Sequence, residues 1–252
     1  MDRSPSGIND IVDRQVQRWN SARRRRHEDK HLVPILPCIT ISRQFGALGS
    51  ALGTSLAREL GFTCWDQELV HAISQSSGMD EQVLASVDEQ TRNAIDLFID
   101  GLLRGRTYSG GEYLSQLGRL IQTISAHGSA IIVGRGGQFL LSPSDALHVR
   151  AVSPIGPRIR GVARRRGISE AAAKDVVEKG EKERQAFIAK HYGRDVTDPT
   201  AYDLMINVES MTVDQAVAVV KTAYEQRFGN MAPKRVEAAS LPPLVKPVPI
   251  DD

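Results

Sequence analysis

Two hydrophobic periods alternate along the chain. Short, continuously apolar runs at 35–41, 62–65, 130–133, 147–152 and 202–208 read as buried strands. Between them apolar positions recur at helical spacing, over 50–60 (closed by Gly61), 67–76, 80–103 and 113–127 (closed by Gly128). Pro154 opens another helix through 165, Ser169 N-caps a long charged one, and 212–228 is amphipathic. Apolar strands alternating with helices predict an α/β fold, a parallel sheet covered by helices on both faces. Ligands of such sheets bind at the carboxyl ends of the strands. The loop after Ile41, the turn after Trp65 and Gly134-Arg135-Gly136 all fall on that edge. There is no internal repeat at a solenoid-like period.

The folded body predicted by these periods is 34–228. Residues 1–33 are polar and arginine-rich, expected as a flexible basic tail with a short helix near 8–19. From 229 to 252, Pro233, Pro242, Pro243, Pro247 and Pro249 predict an extended or disordered tail. With 41% hydrophobic and 25% charged residues the composition is that of a globular protein. No apolar run approaches the roughly 20 residues of a membrane span, and no apolar core of a signal peptide follows the basic N-terminal residues. The expectation is a cytoplasmic protein. Cys38 and Cys64 lie in predicted strands as reduced core residues, without a clustered histidine that would signal a metal.

The net charge of +2 is uninformative, but its distribution is not. Six arginines and no acid occur between Arg150 and Arg166, and a second block spans Arg23 to Arg26. Such blocks suit nucleic acids, acidic lipids or small phosphorylated ligands. The low aromatic content, 5%, argues against a single-strand nucleic-acid groove.

Ile39 to Gly53 reads as a strand, a glycine turn and a helix start, the geometry that points backbone N–H groups at phosphate. Gly46, Ala47, Gly49, Ser50 and Ala51 are the candidate phosphate-binding positions; a plain strand-to-helix turn is the competing reading. Gly49 stands where the G-x-x-x-x-G-K-[ST] pattern has its lysine. Ser50 or Thr54 is the candidate hydroxyl for Mg²⁺. Asp66 either caps the helix that follows or holds a base or ribose. Arg135, between glycines at a strand end, is suited to gripping an anion bidentately. Arg158, Arg160, Arg164 to Arg166 and Arg184 are either solvated surface or cations of a mobile lid. Asp203 and Asn207 flank the last strand.

Together these segments resemble the cytidylate kinase-like family, a branch of the P-loop nucleoside-monophosphate kinases, over roughly 38–227. Ile39-Thr40-Ile41-Ser42-Arg43-Gln44-Phe45-Gly46 is similar to its I-S-R-x-[YF]-G-[SA]-G-G loop. Asp66 with Glu68-Leu69 resembles D-x-E-[IL], and Ile132 to Gly136 its V-G-R-G turn. His148-Val149-Arg150 with Arg158 and Arg160, then His191 to Asp195, Asp198-Pro199 and Tyr202 to Asn207, resemble the lid entry and the C-terminal signature. Leu48 stands where the pattern has a glycine, Ser50 where an arginine is frequent, and Glu181 where an aspartate precedes the lid arginine.

The resemblance implies a P-loop NTPase-like fold with a helical acceptor-binding insert near 67–127 and an Arg-rich lid near 154–195. It implies transfer of phosphate from ATP, with Mg²⁺, to CMP or dCMP. Arg43, Arg158 and Arg184 would be catalytic, Arg43 replacing the missing lysine. Asp66, Arg135, Arg160 and Asp203 would bind the acceptor. The partners are nucleotide substrates, with oligomer contacts available to the insert. The competing reading is a catalytically weak or inactive nucleotide-binding regulatory protein of the same fold.

Overall fold

The computed structural model describes residues 5–28, 35–76, 78–103 and 111–229. In chain order the elements are α1 (Pro5–Glu28), β1 (Cys38–Arg43), α2 (Gly49–Leu60), β2 (Thr63–Trp65) and α3 (Gln67–Ser74). They continue with α4 (Met79–Leu84), α5 (Glu89–Leu103), α6 (Gly111–His127), β3 (Ala130–Val133) and β4 (Ala146–Val152). Last come α7 (Ile155–Arg166), α8 (Glu170–Tyr192), β5 (Leu204–Asn207) and α9 (Val213–Phe228).

All strand pairs are parallel, in the order β2-β3-β1-β4-β5. β1 is central and its six residues are buried, as a strand covered on both faces requires. Alternation along the strands divides two cores. Ile39, Ile41, Val133, Val149 and Ile206 face α2 and α9, through Leu52, Leu56, Val220 and Tyr224. Cys38, Ala130, Ile132 and Ala146 face α6, whose Leu117, Ile121 and Ile124 repeat at helical spacing. The thiols of Cys38 and Cys64 are free, and burial pushes them up to about 11 and about 12.

Two expectations are corrected. The helix expected over 80–103 is two helices, because Asp88 accepts from the Thr91 N–H at 2.8 Å and restarts the chain as a cap. The N-terminal segment, expected to be a flexible tail, forms α1. Val12 and Trp19 are buried in the α6-side core, and Trp19 stacks on His127 (4.0 Å) and Trp65 (5.7 Å). The Pro-rich 230–252 tail and residues 29–34 lie outside the described residues, as do the side chains of Arg23 to Arg26. No helix among the described residues is long and apolar enough to cross a membrane.

Candidate active site

A cleft of about 600 Å³ opens at the carboxyl ends of β1, β2 and β3. One wall is Ser42, Arg43, Phe45, Ser50 and Thr54, from β1, its loop and the first turns of α2. The other is Asp66, Gln67 and Glu68 at the start of α3, with Gly134, Arg135 and Gly136 after β3. Arg166 of α7 and Glu183, Arg184 and Phe187 of α8 complete it.

The loop bends through left-handed Gly46 (φ 83°) and Leu48 (φ 57°) into α2, whose N-terminus has no side-chain cap. The first N–H groups of a helix have no intrahelical acceptor, and the helix dipole adds positive potential there. Ser50, 7% exposed, stands in this first turn. The Thr54 hydroxyl faces the Cys64 thiol instead.

Arg43 ends β1. A Cβ added to Gly49 would lie 2.5 Å from Arg43 Cβ and 2.6 Å from its Cγ, so the arginine stem fills the volume a lysine at position 49 would need. The guanidinium continues across the cleft, Nη2 donating to Gln67 Oε1 at 2.9 Å and Nη1 lying against Gly134. Beneath it Arg150, 2% exposed, donates to Ser42 Oγ at 2.8 Å and to the Tyr202 hydroxyl at 3.3 Å. The floor is therefore cationic.

Across the cleft, Gly134 (φ 82°), Arg135 (φ 55°) and Gly136 (φ 71°) are all left-handed. Glycine tolerates this freely; for an arginine it costs about 1–3 kcal/mol. Tyr192 holds the turn, its ring against Gly136 and its hydroxyl donating to the Arg135 carbonyl at 2.6 Å. The Arg135 guanidinium sits 5.0 Å from the Phe187 ring centroid. Burial draws its pKa below the usual arginine value, with the Tyr113 and Tyr192 hydroxyls opposing. A half-buried cation of this kind is stabilised by an incoming anion.

Gly46, Ala47, Gly49, Ser50 and Ala51 form the loop and helix start, and Arg43, Asp66, Arg135 and Arg184 reach the cleft. Asp66 also caps α3, accepting from the Glu68 and Leu69 N–H groups at 3.1 and 2.9 Å. Arg158 is buried behind the loop, donating to Ser153 O (2.9 Å), Phe45 O (3.2 Å) and Glu181 Oε2 (3.2 Å). Arg160 is exposed on α7 and does not line the cleft. Asp203 stands at the amino end of β5, its Oδ2 accepting from the His148 N–H at 2.8 Å and its Oδ1 paired with Arg227. It ties β4 to β5 and α9, away from the cleft.

The sequence reading missed Gln67 and Phe187 as cleft residues, and named Arg166 only as one of the candidate lid cations. Phe187 follows Arg184 by three residues, so helical spacing places both on one face. Gln67, the unspecified position of the D-x-E motif, carries no signal.

A parallel sheet with a glycine-turned strand-to-helix loop at its carboxyl edge, an arginine turn opposite and arginine-bearing helices beside both defines a kinase-like α/β domain. The chain belongs to the cytidylate kinase-like family, whose family model matches residues 38–210. It is 26% identical to the cytidylate kinase of Methanopyrus kandleri over 189 residues, 74% of this chain and 92% of that one. It is 34% identical over 101 residues to the cytidylate kinase of Thermococcus sibiricus, covering 40% of this chain and 51% of the relative. A 99-residue match, 30% identical, covers 39% of this chain and 19% of a uronate isomerase of Corynebacterium glutamicum. The chain thus spans about half, or less, of the length of several curated relatives it matches. An uncharacterized protein from Eubacterium ventriosum shares the fold, with TM-score 0.60 and 20% identity over 76% of this chain and 99% of that structure.

Proposed function

We propose that this protein is a nucleoside-monophosphate kinase-like phosphotransferase that converts ATP and CMP or dCMP to ADP and CDP or dCDP. The observation that carries the reading is Arg43: a cation rooted in β1 lies over Gly49 and spans to Gln67, between the loop and the Arg135 turn. It stands where a lysine-bearing loop would present its charge.

In this reading the N–H groups from Gly46 to Ala51 receive the ATP phosphates, and Arg43 neutralises charge between donor and acceptor. Arg135 holds the acceptor phosphate, with Asp66 orienting the acceptor nucleotide. An oxygen of that phosphate, ionised at neutral pH, attacks the γ-phosphorus as the bond to the β,γ-bridging oxygen breaks. No general base is needed, so catalysis is alignment and charge stabilisation. Arg184, joined by Arg166, stabilises the charge on the moving group. Arg158 acts through the loop it holds, and Arg160 and Asp203 take no part.

Ser50 supplies a single hydroxyl beside the phosphate loop, a donor set that suits Mg²⁺ held mainly by phosphate oxygens and water. The ion, when bound, neutralises phosphate charge. A ³¹P NMR time course with MgATP and CMP, dCMP, UMP or AMP tests the activity. ADP and one diphosphate should form, and Arg135→Ala should abolish the transfer. Absence of transfer with every acceptor, in folded protein, would leave a nucleotide-binding protein of the same fold.

A further inference from the structure

Phe45 joins the phosphate loop to α7 and α8 through every group it has. Its ring lies so close to Gly180 of α8 that no Cβ fits there. Its N–H donates to Glu181 Oε2 at 2.8 Å, and its carbonyl accepts from Arg158 Nη1 at 3.2 Å. Arg158 also pairs with Glu181 at 3.2 Å, closing a triangle between loop, α7 and α8. Val162, Ala163, Ala173 and Val177 form the apolar cluster against which the ring packs. On this ring sit the two cations that border the cleft from these helices: the Arg184 guanidinium 4.7 Å from its centroid and that of Arg166 at 6.0 Å.

Two guanidinium groups near one ring repel each other, and the negative ring face offsets part of that repulsion. Their side chains are long, and free in solution they would sample many rotamers, at a cost of rotamer entropy for each one fixed. Gathering them before a phosphate arrives lowers the reorganisation needed when charge develops.

We propose that Phe45 is a positioning residue: its ring, seated on Gly180, sets Arg184 over the phosphate loop before the nucleotide binds. This role rests on the phosphotransferase reading, yet it also shows in equilibrium binding, which needs no turnover. MgATP affinity is measured calorimetrically for the full chain, Phe45→Leu, Arg184→Ala and the double variant, with thermal unfolding confirming that each folds. Each single change should weaken binding about five- to tenfold, and the pair no more than the larger single loss. Losses that multiply would overturn the proposal.

In turnover, Phe45→Leu should lower kcat about tenfold while leaving the acceptor KM unchanged, and Phe45→Tyr should restore it. Gly180→Ala keeps the ring but drives it off α8, and should reproduce the Phe45→Leu effect. It serves in its place if the leucine variant does not fold. Wild-type binding and kcat in Gly180→Ala would also overturn the proposal. A parent chain that transfers no phosphate but keeps the coupled binding cycle would sink the kinase reading and leave the positioning role standing.

Discussion

The stem of Arg43 occupies the space above Gly49, so the two positions exclude each other's side chains. The glycine in the lysine position is thereby explained. A side chain there would collide with the Arg43 stem, whose guanidinium we propose supplies the charge of the missing lysine.

Arg43→Ala should lower kcat by about 10²- to 10³-fold, the range for removing one preorganised electrostatic contact. Gly49→Ala should displace Arg43, costing about 1–3 kcal/mol of stability and losing activity in the same direction. Arg43→Gly combined with Gly49→Lys returns a cation from the helix side, and should recover at least about tenfold over Arg43→Gly alone. A double variant no more active than Arg43→Gly would show that Arg43 does not replace the lysine.

The strain at Arg135 gives a second separation. Arg135→Gly and Arg135→Ala both remove the guanidinium, and both should abolish acceptor binding. Only glycine relieves the backbone at φ 55°. Arg135→Gly should therefore be more stable than Arg135→Ala by about 1 kcal/mol in urea unfolding. Equal stabilities would mean the turn relaxes without a glycine.

The strands and the edge they present were legible because continuous apolar runs between glycine and proline have few other readings. Arg43, Arg135 and Arg184 stood out as cations at strand ends or on a predicted lid. Arg160 and Asp203 matched motifs, but a motif records residue order and not direction: Arg160 is exposed to solvent, and Asp203 immediately precedes β5, at the end opposite the cleft. The α4–α5 break was hidden because Asp88 caps α5 within a stretch that otherwise reads as helix. α1 was under-read because its polar sequence shows little burial until Trp65 and His127 are brought to Trp19 by the fold.

Trp19 tests whether α1 is integral. It lies outside the family-matched 38–210 segment yet packs on Trp65, the residue before Asp66 at the cleft. Trp19→Ala should cost about 3–5 kcal/mol, as for a buried large aromatic. It leaves Trp65 as the sole tryptophan of the chain's two, now reporting a wetter site by red-shifted emission. Unchanged unfolding and no red shift of the emission maximum would mean α1 does not support the β2 edge of the sheet.

His148 is one of the groups that should lower stability in acid. It is 5% exposed, its Nδ1 pairing with Thr40 Oγ1 at 2.8 Å. Burial pulls its pKa below the usual imidazole value, with Asp203 opposing and Arg227 assisting. The native protein therefore binds this proton less readily than the unfolded chain does. The stability contributed is present above the unfolded value, about 6.5, and is lost as pH falls toward the native one. His71 and His191 are shifted the same way by burial, so they add slope of the same sign. His148→Asn offers Thr40 a polar partner that does not titrate. Urea unfolding between about pH 7.5 and 5 should show the parent losing stability and the variant losing less. Identical pH slopes in the two proteins would show that His148 is not the group being protonated.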